Sequence, residues 1–272
     1  MTEPEPTRDV ALSVAPGIRR VIANNPGPMT YYGTNTYLID TEDGVVVVDP
    51  GPDLPEHVDA IVHHAARPIV KIGLTHGHRD HGGCAAALVA ATGAVTYGFS
   101  PSVDSTFVPD VKLTEGDEFA GMSVIYTPGH APDHLCFARD EDGILFTGDH
   151  VMGWSTTFIG APAGNMHDYL ASLQRLLQRD DKVYLSAHGP PLTEPRSHVN
   201  AMLLGRLKRE REILAFLRAH GPSSTDAILT AIYPKATAPR IKSAAERTLL
   251  AHLFKLEMEA KAEHTQDLWA PA

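Results

Sequence analysis

A chain of 272 residues with 43% hydrophobic content is long enough for one domain with a large core, with or without a smaller second domain. Its formal net charge of -10 argues against a surface built throughout for nucleic acid. No stretch approaches the roughly 20 apolar residues of a membrane helix, and the N-terminus lacks the pattern of an export signal, so we expect a cytoplasmic protein.

The first two thirds of the chain alternate between strand-like and helix-like segments. Two apolar runs, residues 35–40 and 44–49, flank the turn-forming TEDG and predict a hairpin. Helical spacing predicts a helix over 55–66, residues 69–75 predict a buried strand, and CAAALVAAT at 84–92 predicts a second helix. Further strands are predicted within VTYGFS, VKLTEGDEFAGMSVIYTPGH, HLCFARDEDGILFTGD and KVYLSAHGP.

The last third is predominantly helical. An amphipathic helix is predicted over 168–178, with Asn165 or His167 near its start. After the proline-rich GPPLTEP, further helices are predicted over three ranges: 202–220, 225–233 and 241–262. We therefore predict a first domain over residues 1–194 and a smaller one over 195–272, ending in a short strand or a frayed tail.

Charge is distributed unevenly between these parts. Residues 206–261 contain 11 Lys/Arg and 6 Asp/Glu, a balance of +5, whereas the remainder contains 12 basic and 27 acidic residues, a balance of -15. A basic segment is compatible with nucleic-acid binding, although an exposed helical face that happens to be basic is the simpler interpretation.

The segment THGHRDHGG at 75–83 concentrates potential metal ligands. His76 and His78 are two residues apart, so on extended backbone both imidazoles point to one side and can share a metal. Asp80 and His81 follow, and the turn at the two glycines allows them to face a second metal. Imidazole with carboxylate suits zinc, iron or manganese.

Three further candidates stand where predicted strands end. His130 follows a strand and a Pro-Gly turn, Asp149 follows an apolar strand and a glycine, and His188 ends the last strand. Strand ends that converge at one edge of a sheet hold a site on a rigid scaffold. A carboxylate between two metals can bridge them, and we assign that role to Asp149.

The ordered set HxHxDH, TPGH, TGD and AHGP resembles the metallo-β-lactamase superfamily over residues 33–190. The resemblance implies a four-layered αββα sandwich, an α/β fold with its metal site at one edge of the paired sheets. It also implies that His76, His78 and His130 hold one metal, that Asp80, His81 and His188 hold another, and that Asp149 bridges them. The implied cofactor is a pair of zinc ions, with iron or manganese as alternatives.

The resemblance implies supporting residues as well. Asp49 in DPGPD corresponds to a carboxylate that orients the metal loop, and His134 flanks ligand positions. Trp154, Ser155 and Thr156 are expected to line the substrate pocket. The remaining histidines are expected to be surface or core residues, among them His57, His63, His64, His198, His220, His252 and His264.

Two adjacent metals favour hydrolysis, because they make hydroxide available near neutral pH and stabilise developing negative charge. Asp80 is the residue best placed to orient the attacking water or move its proton. The leading hypothesis is a dinuclear zinc hydrolase acting on a small ester, thioester or lactone, or with broad specificity. The alternatives are an endoribonuclease specific for single-stranded RNA and a non-catalytic metal-binding or regulatory module.

The C-terminal region indicates which branch of the superfamily the chain resembles. Residues 207–235 and the helix ending AHLFKLEMEAKAE resemble the winged-helix-like domain of a lactamase-like branch that includes an endoribonuclease. A lid or dimer contact is our favoured role for this domain, with nucleic-acid binding as the alternative.

A true β-lactamase is disfavoured, because the best-known lactamases place a cysteine near the position of Asp149 and carry an export signal. Substrate identity, native metal and oligomeric state stay open.

Overall fold

The computed structural model describes residues 3–103 and 107–272. Within it the chain forms two compact units, each with its own hydrophobic core. The first unit consists of three segments: residues up to 127, 133–157 and 180–196. The second unit consists of residues 128–132, 158–179 and 197–272.

The first unit contains two β-sheets. The larger sheet has seven strands that lie side by side in chain order: β1 (Ala11–Ala15), β2 (Ile18–Ile22), β3 (Asn35–Asp40), β4 (Val45–Val48), β5 (Ile69–Gly73), β6 (Val95–Gly98) and β7 (Val111–Lys112). The smaller sheet has five strands in the order β12 (Val183–Ser186), β11 (Ile144–Gly148), β10 (Leu135–Arg139), β9 (Met122–Tyr126) and β8 (Glu118–Phe119).

The two sheets enclose one apolar core. Tyr37 and Val46 from the seven-stranded sheet pack in the same buried cluster as Phe119, Phe137 and Phe146 from the five-stranded sheet. A second cluster covers the other face of the larger sheet and includes residues of two helices, α1 (Pro55–Ala65) and α3 (Ala85–Thr92). The short helix α2 (Arg79–Gly82) lies between them in the chain.

The second unit is mainly helical. Its helices are α4 (Met166–Leu176), α5 (Pro195–His220), α6 (Thr225–Ile232) and α7 (Pro239–Met258). The first two residues of α5 belong to the first unit, and the rest of this helix belongs to the second. A three-stranded sheet in the order β13 (Ser223–Ser224), β15 (Leu268–Pro271), β14 (Ala262–Thr265) completes it. Its core includes Leu217, Leu249, Leu253 and Trp269.

Most predicted elements are confirmed, with small shifts at their ends. The hairpin around TEDG is the antiparallel pair β3–β4. Asn165 caps α4, since its side chain accepts hydrogen bonds from the backbone amides of His167 and Asp168. The C-terminal tail is a strand pair rather than a frayed end. The helix predicted over 202–220 begins earlier, at Pro195.

The two cysteines, Cys84 and Cys136, are free and buried. Burial raises the pKa of the Cys84 thiol to about 12, and the thiol donates a hydrogen bond to the Pro50 carbonyl oxygen. Both thiols therefore belong to the buried interior of the protein. Among the helices of the described residues, none has the length and apolar character needed to cross a membrane.

Candidate metal centre

The first unit gathers six of the seven ligand candidates: four lie just beyond the ends of strands, and Asp80 and His81 lie in the short helix α2. The ligand atoms of His76, His81 and Asp149 all lie within 4.8 Å of one another, and so do those of Asp80, His81 and His188. His78 joins the group through its Nδ1, which lies 2.8 Å from Nε2 of His76. Nitrogen and carboxylate donors thus converge on one small volume.

The loop that carries this cluster is anchored by Asp49, which directly follows β4. One carboxylate oxygen accepts a hydrogen bond of 2.8 Å from the backbone amide of Thr75. The other accepts from the Thr75 hydroxyl at 2.8 Å and from Nδ1 of His81 at 3.0 Å. Asp49 is buried and has a left-handed backbone (φ 51°), so the turn holds its side chain toward the loop.

These contacts fix which nitrogen of each imidazole carries the lone pair. A carboxylate accepts only, so Nδ1 of His81 carries a proton, and in the neutral imidazole Nε2 is the nitrogen with the lone pair. The Thr75 hydroxyl already donates to Asp49, so at 3.1 Å it accepts from Nδ1 of His76. Nε2 of His76 therefore also keeps its lone pair, which is the form in which histidine binds metal.

His188 is oriented in the same way by the backbone. Its Nδ1 donates to the carbonyl oxygen of Gly33 at 3.3 Å. Only glycine fits at position 33, because a Cβ there would lie 1.9 Å from the Ala23 carbonyl oxygen and the backbone has a φ of +139°. The side-chain amide of Asn35 holds the loop around His188, because it donates to the carbonyl oxygens of Ser186 and Gly189 at 2.8 Å each.

The imidazole nitrogens of the cluster that make no hydrogen bond indicate what the cluster binds. Nε2 of His81 and of His188 are buried, and in the part of the chain that the structure describes neither has a hydrogen-bond partner. Nε2 of His188 lies 3.4 Å from Oδ2 of Asp80 and 3.3 Å from Oδ1 of Asp149. Buried polar atoms without partners are costly in a native protein, and a divalent cation would satisfy these donors. The residues therefore fit a metal.

The electrostatics of the cluster favour ionised carboxylates. Burial alone would raise the pKa of Asp80, but the neighbouring His81 and His188 imidazoles outweigh it and lower the pKa to about 2. Burial would lower the pKa of His81, yet Asp80, Asp149 and Asp49 raise it well above its ordinary value. Before metal binds, the carboxylates thus attract a proton to the position that a cation would occupy.

Two residues beside the cluster hold its backbone. The buried carboxylate of Asp133 accepts from the amides of Gly77 and Val103, at 2.9 Å each, and so pins the peptide between His76 and His78. Nε2 of His134 accepts from the backbone amide of Asp149 at 3.2 Å. Sequence reasoning missed Asp133, although it stands in the same HAPDH segment as His134.

A buried relay reaches Asp49 from the N-terminal segment. Nδ1 of His57 donates to the Asp9 carboxylate at 2.7 Å, and Nε2 of His57 lies 2.9 Å from the Thr36 hydroxyl. That hydroxyl donates to the backbone carbonyl oxygen of Asp49 at 2.7 Å. The relay supports the strained turn that presents Asp49, and it gives a structural role to His57.

Replacing Thr36 with valine should lower the free energy of unfolding by roughly 1–3 kcal/mol, because the buried Asp49 carbonyl and His57 imidazole each lose a partner. Thermal or urea unfolding measures the change. Thr36→Ser keeps the hydroxyl and is the matched control. Equal losses in both variants would show that the methyl group, and not the relay, stabilises the turn.

The remaining predicted site residues are His130 and the substrate-pocket candidates Trp154, Ser155 and Thr156. His130 belongs to the second unit, in the loop 128–132, where its Nδ1 donates to the Phe158 carbonyl oxygen at 2.7 Å. In the first unit, the Trp154 ring packs against Tyr31 with centroids 5.0 Å apart. A Cβ at Gly189 would meet this ring at 2.7 Å. Ser155 and Thr156 are exposed, and lining of a substrate pocket by residues 154–156 stays a prediction.

The sequence pattern of the metallo-beta-lactamase superfamily matches residues 29–188, more than half of the chain. The chain belongs to this superfamily. The pattern of the beta-lactamase associated winged helix domain matches residues 224–269. The predicted fold class, a metallo-β-lactamase α/β sandwich followed by a C-terminal winged helix, is thereby confirmed.

Several known proteins resemble much of the chain. An atrochrysone carboxyl ACP thioesterase from Aspergillus novofumigatus is 32% identical over 213 residues, which are 75% of this chain and 64% of that protein. A beta-lactamase-like protein 2 homolog from Drosophila melanogaster is 30% identical over 263 residues, covering 89% of this chain and 88% of the relative. The crystal structure of a beta-lactamase domain protein from Burkholderia ambifaria superposes with a TM-score of 0.87 over 98% of this chain and 95% of its own, at 22% identity.

These findings make the protein a metal-dependent hydrolase of the superfamily, as the sequence predicts. A divalent metal follows from the family and from the donor set described above. The chain spans just under two thirds of the thioesterase relative's length, so that protein's activity is not carried over as a fact.

Proposed function

We propose that this protein is a dinuclear zinc hydrolase that cleaves a small thioester. The observation that carries the proposal is the convergence of histidine and carboxylate donors in the first unit, with three imidazoles held so that one nitrogen of each keeps its lone pair. The thioesterase among the relatives supports the choice of substrate class, ahead of the esters and lactones that the same chemistry would attack.

The proposed ligand sets follow the family pattern at positions present in this chain. Asp80, His81 and His188 would hold one ion, and their ligand atoms already lie together. His76 and His78 would contribute to the other ion, with His130 as their third partner. Asp149 would be shared by both ions. The assignment of His130 rests on the family pattern and on its Nδ1 hydrogen bond, which leaves the lone pair on Nε2.

When bound, the metal pair supplies Lewis acidity, which makes hydroxide available near neutral pH and stabilises negative charge on the substrate carbonyl oxygen. Asp80 is ionised at neutral pH, and its side chain keeps about a third of its surface exposed. It can therefore orient the attacking water and accept its proton. Asp49 holds the loop that carries Asp80 and His81, which keeps these groups in place during turnover.

Asp149 also bears on the choice among hydrolases. The best-known β-lactamases place a cysteine in this region, whereas here a carboxylate stands beside His81, with 3.6 Å between Oδ1 and Nε2. A carboxylate bridge adds negative charge between two cations and favours retention of both. We therefore disfavour a true β-lactamase.

Ribonuclease activity is the alternative that the winged-helix domain keeps open. The positive charge of the second unit is partly neutralised, because three lysines form ion pairs there: the exposed pairs Lys242–Asp226 and Lys261–Glu259, at 2.7 Å each, and the buried pair Lys255–Glu210 at 3.0 Å. Fewer unpaired cations weaken attraction to phosphates. The thioester proposal is accordingly the stronger one.

A substrate panel tests the proposal directly. The purified protein is assayed on acyl thioesters, matching oxygen esters, lactones and single-stranded RNA, before chelation, after chelation, and after return of zinc, iron or manganese. We expect thioester hydrolysis that disappears with the metal and returns most fully with zinc. Metal-dependent RNA cleavage without thioester turnover would instead support the ribonuclease.

A further inference from the structure

The loop that carries His130 is built into the second unit. A Cβ at Gly129 would lie 2.4 Å from Cα of Tyr169 on α4, so the loop runs directly against that helix. The Gly129 carbonyl oxygen accepts a hydrogen bond of 2.8 Å from the backbone amide of Asn165, the residue that caps α4. The backbone of His130 is therefore fixed, and its imidazole needs only an orienting partner.

That partner is the backbone of the segment 158–161. Nδ1 of His130 donates to the Phe158 carbonyl oxygen at 2.7 Å. Since a carbonyl oxygen only accepts, this bond places the proton on Nδ1 and leaves Nε2 as the donor for a metal. The position of the Phe158 peptide thus sets both the tautomer and the angle of the ring.

Arg247 on α7 holds the same segment at three points. Its Nε donates to the Ala161 carbonyl oxygen at 2.9 Å, and its Nη2 reaches the Gly160 carbonyl oxygen at 3.4 Å. The guanidinium lies over the Phe158 ring, 5.3 Å from the centroid. In return, the backbone amide of Ala161 donates to the Arg247 carbonyl oxygen at 3.1 Å.

The backbone of the segment 158–161 turns tightly, so its position depends on the contacts with Arg247. A Cβ at Gly160 would lie 2.3 Å from the Phe158 ring, and a Cβ at Gly164 would lie 2.5 Å from the backbone nitrogen of Gly160. The segment is thus a tight loop without a regular hydrogen-bonded element of its own. A planar guanidinium that binds two carbonyl oxygens and covers an aromatic ring fixes such a loop better than an ammonium group does.

We propose that Arg247 is a positioning residue for the metal centre, acting through Phe158 on His130. The inference rests on the proposed role of His130 as a metal ligand. It also gives the winged-helix domain, which includes Arg247, a defined role, because one face of α7 supports the loop that orients a ligand. This role differs from nucleic-acid binding and from that of a lid.

The test is metal affinity, measured on the full chain by competition with a chromogenic chelator, together with the visible spectrum of the cobalt-substituted protein. We expect Arg247→Ala to weaken one of two bound ions by about tenfold, the lower end of the effect of losing a partner to a metal-bound histidine. The cobalt spectrum should change at the same time. Arg247→Lys should recover only part of the affinity, since it keeps the charge but not the planar fork.

Controls separate positioning from general destabilisation. Lys242→Ala removes a charge from the same helix and breaks an ion pair with Asp226, yet it should leave metal affinity unchanged. In a His130→Ala background, which should retain one ion, Arg247→Ala should cause no further loss of metal. Thermal unfolding identifies a variant that has lost its fold, in which case Arg247→Lys and Arg247→Gln provide the comparison.

The outcomes distinguish this inference from the function on which it rests. If Arg247→Ala folds and binds both ions with wild-type affinity while His130→Ala loses one, the positioning role is wrong and the proposed function stands. An equal effect of Arg247→Ala in both backgrounds would also contradict it, because the residue would then act on something other than His130. If the wild-type chain binds no metal, both proposals fail.

Discussion

Replacing Asp80 with asparagine is expected to lower kcat of metal-dependent hydrolysis by about 100-fold or more, the range that general acid–base groups contribute. Asparagine has the same shape but cannot accept the proton of the attacking water. It also removes a negative charge beside His81 and His188, so we expect weaker binding of the ion that these residues hold. Steady-state kinetics at saturating metal, with metal content measured in parallel, separates the two effects.

Asp59→Asn is the matched control for this substitution, because it removes an exposed carboxylate from α1. Its kinetics and metal content should equal those of the wild type. Should Asp80→Asn retain wild-type kcat with its metal bound, Asp80 is not the proton acceptor and only its role as a ligand survives.

Replacing Asp49 with alanine is expected to have the largest effect on stability. Three buried donors lose their acceptor: the Thr75 amide, the Thr75 hydroxyl and Nδ1 of His81. At about 1–3 kcal/mol for each buried group left unpaired, the free energy of unfolding should fall by roughly 3 kcal/mol or more. Metal affinity should fall about 10- to 100-fold, since His81 loses the partner that fixes its tautomer.

Urea unfolding of the metal-free and metal-loaded protein measures both effects of Asp49→Ala. Asp43→Ala, at an exposed position in the turn before β4, serves as the control and should change neither quantity appreciably. Metal affinity equal to that of the wild type in Asp49→Ala would mean that the loop holds its geometry without this carboxylate.

The proposed ligand positions stand out in the sequence because their signal is local. The spacing of His76, His78 and His81 places the side chains, and apolar strands before Asp149 and His188 place the rest at one edge. Asp49 is found in the same way, through a short motif after a strand. Such patterns contain both the chemistry and its scaffold within a few residues.

Residues that support the site through distant contacts cannot be predicted in this way. Asp9, His57 and Thr36 stand in separate elements, and only the folded chain brings them into one relay. Arg247 is 89 positions from Phe158, whose ring it covers, and no local pattern distinguishes it from other basic residues of α7. The N-terminal hairpin β1–β2 also escapes sequence-based prediction, because both strands are short and β2 contains the charged residues Arg19 and Arg20.

The division into domains stays a prediction. The sequence places one boundary near Pro195, whereas the compact units assign residues 128–132 and 158–179 to the same unit as the C-terminal helices. The reason is visible in the contacts of Arg247 with Gly160 and Ala161, which join the segment before α4 to α7. The composition of the sequence does not reveal that segments from the middle of the chain pack with the C-terminal helices.

The most direct test of a two-metal hydrolase is the number of metal ions per chain, measured together with thioester hydrolysis in the wild type and in His76→Ala. We expect about two ions per wild-type chain, fewer in the variant, and loss of activity in the variant with its fold intact. A wild-type chain without bound metal, or a variant with unchanged metal content and activity, would contradict the proposed centre.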